Sequence, residues 1–314
     1  MSPRIQVAVG VLRNRRGDIL LSRRKQGQHL EGYWEFPGGK VEEGESAPRA
    51  LARELKEELG IDFGAAEKLI GIPFDYAEKK VQLDVYTLDD WAGIAEGREG
   101  QDCRWVPGEE LRHYRLPEAN RGILTALALP QHILISGEFD GRACLRRKID
   151  AALRRGIELI QLRAPCLAPP EYVSLCHYVK ETFQTDFPRV KFFANCSVEL
   201  FPHTGFRYLH LSVANLQGLT ADSRPPQAEL LSSAVHDEQQ LLRAQQLGVD
   251  FVYLSPVRMS QTHPQSDALG WARFAALCAR ARVPVIALGG LGPEDLPAAR
   301  EAGAQGVAAI RAWW

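Results

Sequence analysis

Residues 39–61, GKVEEGESAPRALARELKEELGI, constrain this chain more than any other stretch. Ser46 is placed to cap a helix, Pro48 falls in its first turn, and Gly60 stands where the helix should end. Ala50, Leu51, Leu55 and Leu59 recur at helical spacing and mark the face that packs on a core. Glu54, Glu57 and Glu58 stand at i, i+3 and i+4, so three carboxylates share one face within a turn. Like charges at that spacing destabilise a helix by about 0.2–0.5 kcal/mol per pair. A Glu-rich helix is ordinarily a solvated acidic face, but clustered hard oxygens also suit Mg²⁺, which binds through carboxylates, waters and substrate phosphates.

The pattern extends beyond the helix, and that decides between the two. Gly39, Glu45, Arg53, Glu54, Leu55, Glu57, Glu58, Gly60 and Ile61 follow the order Gly-x5-Glu-x7-Arg-Glu-apolar-x-Glu-Glu-x-Gly-apolar. The stretch resembles the Nudix box with no element missing. The resemblance implies hydrolysis of a nucleoside diphosphate linked to another group, with Mg²⁺ bridging the phosphates and Mn²⁺ as the alternative ion.

The 314 residues suit two domains better than one. A hydrophobic content of 45% with 25% charged residues is that of an ordinary globular protein. A net charge of −1 argues against a nucleic-acid polymer or a membrane surface as partner. The N-terminal MSPRIQVAVGVLRN turns into a strand too early for a signal peptide, and no apolar run reaches the roughly 18 residues of a membrane span. Cys103, Cys144, Cys166, Cys176, Cys196 and Cys278 form no CxxC pair, which fits reduced thiols in a cytoplasmic protein.

In the first domain, expected over residues 1–129, IQVAVGVLRN and DILLSRRK read as strands joined by a turn at 15–17. Residues 26–32 read as a loop, EKLIGIPFDYA and KKVQLDVYTLDDW as further strands, and Pro117 to Leu129 as the closing helix. WEFPGGKVEEGE, the SRR of 22–24, GREGQ at 97–101 and LPEAN at 116–120 narrow the resemblance to the MutT branch, which cleanses oxidised guanine nucleotides such as 8-oxo-dGTP. The resemblance implies an α/β/α sandwich with a mixed sheet. It assigns metal binding to Glu54, Glu57, Glu58 and the Gly39 carbonyl, with Glu99 as a further carboxylate from a loop. It makes Arg53 the ion-pair partner of the glutamates. Asn120 becomes the reader of the oxidised purine edge, helped by Arg24, with Phe36 lining the base pocket. An Asn amide offers a donor and an acceptor side by side, as a purine edge requires. The competing roles are a helix cap for Asn120, a surface charge for Arg24 and a solvated loop carboxylate for Glu99.

From residue 132 onward the rhythm changes. HILISG, IELIQLR, KFFANC, YLHLS, LLSSAVH, FVYLSPV, VPVIALGG and GVAAIRA read as strands, with helix-like runs between most of them. Eight strands, several nearly all apolar, predict a parallel (β/α)8 TIM-barrel-like domain over 132–314; an open flavodoxin-like sheet is the lesser alternative. Trp313 and Trp314 follow the eighth strand directly, so the last helix is expected to be missing. Either the first domain or a homodimer partner is the candidate to cover that face. Gln161, Arg163, Asn195, His210 with Ser212, and His236 mark the carboxyl ends of successive strands, and Gly289 and Gly290 offer bare amides to a phosphate.

QLR at 161–163, HLS at 210–212, AVHDEQQ at 234–240, YLSPV at 253–257, PVIALGG at 284–290 and AGAQGVAAI at 302–310 resemble the thiamine phosphate synthase and TenI family. The departures bear on activity. The synthase lysine is Pro165, the Asn-Asp-Arg triplet is Asn195-Cys196-Ser197, a later acidic position falls on Ala214 or Asn215, and a loop lysine is His263. Without those carboxylates, Mg²⁺-pyrophosphate binding and synthase activity are not expected. His236 matches the proton-transfer histidine of TenI-type aminothiazole tautomerases, which leaves a tautomerase, a phosphate-binding regulatory barrel, or a hydrolase acting on thiamine-related pyrophosphates as readings of the fusion.

Overall fold

The computed structural model describes residues 4–27, 29–259 and 267–314. The chain divides into two units, Met1–Ala128 and Leu129–Trp314, each with its own core.

In the first unit, β1 (Ile5–Leu12) is the axis of a four-stranded mixed sheet. It pairs antiparallel with β4 (Gly38–Lys40) and parallel with β7 (Lys80–Leu88), which in turn pairs antiparallel with β6 (Glu67–Asp75). The strand β2 (Ile19–Arg23) does not join this sheet. It lies between β3 (Trp34–Glu35) and β9 (Cys103–Val106) in a second sheet, linked to the first hairpin leg by an Arg13–Ile19 bridge. β5 (Asp62–Phe63) and β8 (Trp91–Ala92) form a short ribbon.

The helix α1 (Ala47–Leu59) buries Ala50, Leu51, Leu55 and Leu59, the four positions expected from the spacing. They pack on Ala8, Leu12, Leu20, Tyr86 and Leu88. Ser46 has the extended backbone of a cap residue but makes no side-chain cap bond; Gly60 ends the helix at φ 71°. The closing helix is shorter than expected. Residues 118–120 form a 3-10 turn, α2 spans Arg121–Ala128, and Leu129 packs with the interior of the second unit.

The second unit is a closed parallel barrel, which excludes the open sheet. Its strands are β10 (His132–Ile135), β11 (Leu159–Leu162), β12 (Lys191–Asn195), β13 (Tyr208–Leu211), β14 (Leu230–Val235), β15 (Phe251–Leu254), β16 (Val285–Leu288) and β17 (Gly306–Ala309). Helices α3 (Gly141–Arg154), α4 (Pro169–Phe183), α5 (Val213–Leu216), α6 (Glu238–Gln246), α7 (Gly270–Cys278) and α8 (Leu296–Glu301) connect them. Side chains alternate along each strand. Ile133, Ile135, Leu159, Phe193, Phe251 and Ile286 fill the interior, while Leu134, Ile160, Leu162 and Phe192 face the helices. Both faces are covered, which is why the strands read as nearly continuous apolar runs.

No helix follows β17. Trp313 is buried in the outer layer, its ring 5.5 Å from that of His132. Trp314 donates its indole N–H to the Glu138 carbonyl at 2.7 Å and lies beneath the Lys148 ammonium. The two tryptophans thus pack against β10 and the loop that follows it. All six cysteines are free thiols. No helix among the described residues is long and apolar enough to cross a membrane.

Candidate active site

The strand-to-helix passage from β4 into α1 gathers the first set of functional residues. Gly39 pairs with Ala8 across the sheet edge, and a Cβ on Gly39 would fall 2.1 Å from Cδ of Glu54. The Glu54 carboxylate therefore lies directly over the Gly39 backbone, and only glycine leaves room for it. Arg53 ties the passage together. Its guanidinium donates to Glu54 at 2.9 Å, to Glu45 at 3.1 Å and to the Lys40 carbonyl at 3.1 Å, and stands 3.5 Å from Glu57. These bonds hold the Arg53 cation well above its usual pKa and keep Glu45 below the usual carboxylate range.

Glu58 sits deeper than Glu57, which is exposed. Burial, then the Glu54, Glu35 and Glu99 carboxylates, push the Glu58 carboxyl up to about 7. Four carboxylates from β3, α1 and a loop thus act on one another. Among the described residues no three His, Cys, Asp or Glu side chains close into a metal cage. Mg²⁺ does not require one, since it keeps several waters and takes one or two carboxylates plus phosphate oxygens. An all-oxygen set whose mutual repulsion a cation would relieve fits a divalent metal.

Phe36 is buried with Ala119 and Ile123, and Tyr76 packs against the same cluster. Asn120 is 8% exposed. Its side chain makes no cap bond and has no hydrogen-bond partner among the described residues. Arg24 is committed elsewhere: Nε and Nη2 donate to Glu35 at 2.8 and 2.7 Å, and Nη1 to the His29 carbonyl at 2.5 Å. Burial raises the Glu35 carboxyl, and Arg24 opposes the shift. Arg24 thus ties Glu35 to the loop before it. Glu99 is ion-paired with Lys25 at 2.8 Å rather than simply solvated. Glu35, Tyr76 and Lys25 escaped the motif reading because their partners are remote in sequence.

In the barrel, Gln161, Arg163, Asn195, His210, Ser212, His236, Gly289 and Gly290 all line one cavity of 930 Å³ at the carboxyl ends of the strands. His210 lies deeper than a strand tip, bonded to Ser232 at 3.0 Å, and burial lowers its pKa to about 3. The Gln161 Oε1 is buried without a partner. His236 Nδ1 is 2.7 Å from the Ser255 carbonyl, which can only accept, so Nδ1 carries the proton and Nε2 is left as the base. Gly289 (φ 103°) and Gly290 (φ 67°) are required: a Cβ would lie 2.7 Å from Pro256 and 2.8 Å from the Met259 carbonyl. Where the synthases carry an acid, Cys196 is a buried thiol pushed up to about 12, and Ala214 lines the cavity wall. His263 lies outside the described residues.

A glutamate-bearing helix packed on a mixed sheet, followed by a parallel barrel with a cavity over its strand ends, defines a carboxylate-site hydrolase joined to a parallel barrel. The chain belongs to the NUDIX domain family over residues 8–126 and to the thiamine monophosphate synthase (TMP-TENI) family over residues 132–313. Over 131 residues it is 40% identical to an 8-oxo-dGTP diphosphatase of Haemophilus influenzae, covering 42% of this chain and 96% of that protein. An 8-oxo-dGTP diphosphatase of Escherichia coli is 35% identical, with 40% and 96% covered. Over 183 residues the chain is 29% identical to a thiamine-phosphate synthase of Synechococcus, covering 56% of this chain and 49% of that protein. The protein is accordingly a Nudix hydrolase acting on nucleotides, carrying a thiamine phosphate synthase-like barrel.

Proposed function

We propose that the first unit hydrolyses an oxidised purine nucleoside triphosphate, 8-oxo-dGTP above all, to the monophosphate and pyrophosphate with Mg²⁺. The observation that carries the reading is Asn120, a residue 8% exposed next to Ala119 of the Phe36 cluster, whose side chain makes no hydrogen bond among the described residues. Its amide offers a donor and an acceptor side by side, as a purine edge requires. Glu54, Glu57, Glu58, Glu99 and the Gly39 carbonyl are the residues to hold the metal. Bound there, a divalent cation neutralises phosphate charge and makes a bound water more acidic. The water oxygen bonds to one phosphorus of the α–β linkage, that anhydride bond breaks, and the water's proton passes to a carboxylate of the cluster. Arg53 keeps Glu54 over Gly39 throughout, and Phe36 and Asn120 fix the base so that the linkage meets the carboxylates. Glu57→Gln tests the site: loss of pyrophosphate release with an unchanged fold supports it, and wild-type turnover refutes it.

The barrel supports a second reading, as a site for a phosphorylated ligand such as a thiazole phosphate. The positive-φ glycines at 289 and 290, the Arg163 side chain and the proton-free Nε2 of His236 favour a monophosphate and proton transfer. The buried thiol of Cys196 and the uncharged Ala214 disfavour Mg²⁺-pyrophosphate condensation. Titration of thiazole phosphate against the full chain and against His236→Ala separates binding with tautomerisation from binding alone.

A further inference from the structure

The loop that carries Glu99 is docked on the end of α1. The last carbonyls of a helix have no partner within it. Here the Arg98 amide donates to the Glu58 carbonyl at 2.8 Å and the Glu96 amide to the Leu59 carbonyl at 3.3 Å. Gln101 adds its Nε2, which donates to the same Glu58 carbonyl at 3.1 Å. The other end of that amide, Oε1, accepts the Glu99 backbone N–H at 2.9 Å. One side chain therefore ties the backbone of Glu99 to the backbone of Glu58.

The rest of GREGQ serves the same contact. A Cβ on Gly97 would lie 2.1 Å from the Gln101 carbonyl, and Gly100 adopts φ 78°. Arg98 places its guanidinium over Gly60, where a Cβ would fall 2.0 Å from its Cζ. A cation at that point faces the negative end of the α1 dipole. On the outer side, the Lys25 ammonium holds the Glu99 carboxylate at 2.8 Å.

We infer that Gln101 is a positioning residue that holds Glu99 in register with the glutamates of α1 through the helix C-terminus. The inference rests on the reading of Glu99 as a metal-site carboxylate. Gln101 touches neither phosphate nor metal in this role; it sets where Glu99 stands relative to Glu58.

A double-mutant cycle over wild type, Glu99→Gln, Gln101→Leu and the double variant tests it. Two readouts are taken: Mn²⁺ affinity without nucleotide, from the electron paramagnetic resonance of the free ion, and kcat and KM for 8-oxo-dGTP. Gln101→Leu is expected to weaken Mn²⁺ binding several-fold and to lower kcat about tenfold, within the hundredfold that a ~1 Å misplacement can cost. KM for the nucleotide stays unchanged. In the Glu99→Gln background Gln101→Leu has no further effect, since residues acting as a unit are not additive. Should Gln101→Leu fail to fold, Gln101→Asn, whose shorter amide cannot span from Glu99 to Glu58 and adds no charge, carries the same cycle. Wild-type behaviour of the Gln101 variant, or losses that multiply undiminished in the double variant, overturns the positioning role alone. Wild-type metal binding and turnover in Glu99→Gln overturns the carboxylate reading, and the inference with it.

Discussion

Replacing Asn120 with alanine separates recognition from structure. The residue is 8% exposed and its side chain makes no hydrogen bond among the described residues, so its deletion removes none of those. An Asn serving as a helix cap is worth about 0.5–2 kcal/mol of stability, whereas a bidentate side-chain-to-base contact is worth about 1–3 kcal/mol of discrimination. The account therefore predicts that Asn120→Ala unfolds within about 2 °C of wild type, a shift that corresponds to well under 1 kcal/mol. The preference for 8-oxo-dGTP over dGTP should fall by a factor of about 5 to 150, the range that 1–3 kcal/mol spans. The assay is kcat/KM for both nucleotides with Mg²⁺, beside calorimetry of the same preparations. The loss should fall on 8-oxo-dGTP, with dGTP hydrolysis little changed. An Asn120→Ala protein that keeps its preference yet melts several degrees lower would refute the reasoning and return Asn120 to a structural role.

Other perturbations probe the rest of the molecule. Glu54→Gln is expected to abolish pyrophosphate release while circular dichroism and melting stay at wild type; measurable turnover counts against the metal site. Gly60→Ala forces a non-glycine residue to φ 71° and displaces Arg98, so it should cost at least about 1–2 kcal/mol in denaturant unfolding. An unchanged midpoint would show that the αL cap and the Arg98 contact are dispensable. His210 stays neutral in the folded barrel to about pH 3 but takes a proton below about 6.5 when unfolded. Its contribution is therefore complete above pH 6.5 and falls as the pH drops towards 3, by up to about 1.4 kcal/mol per pH unit. Chemical denaturation at pH 7 and pH 5 should show a smaller loss for His210→Gln than for wild type, and equal losses would contradict the assignment.

Much of the fold was written locally. The buried stripe of α1, its C-terminal glycine and the eight barrel strands all follow from periods of 3.6 and 2 and from apolar runs covered on both faces. The sorting of β1 and β2 into different sheets did not, because a turn at 15–17 says nothing about which remote strand each leg meets. The site divides the same way. Arg53 and the glutamates it braces lie within one helix and the loop before it, so spacing alone places them. The commitment of Arg24 to Glu35, the pairing of Glu99 with Lys25 and the clasp of Gln101 on Glu58 join residues 11 to 74 positions apart. No period links such positions. Trp313 shows a further limit: that it would pack beside His132 was not legible.

The most direct test of the central claim is steady-state hydrolysis by the full-length protein with Mg²⁺, comparing 8-oxo-dGTP, dGTP and hydroxymethylpyrimidine pyrophosphate. The account predicts a kcat/KM for 8-oxo-dGTP well above the other two, with the nucleoside monophosphate and pyrophosphate as products. Equal rates on the two nucleotides with faster turnover of the pyrimidine pyrophosphate would contradict it and make the barrel, not the buried Asn120, the guide to what this hydrolase acts on.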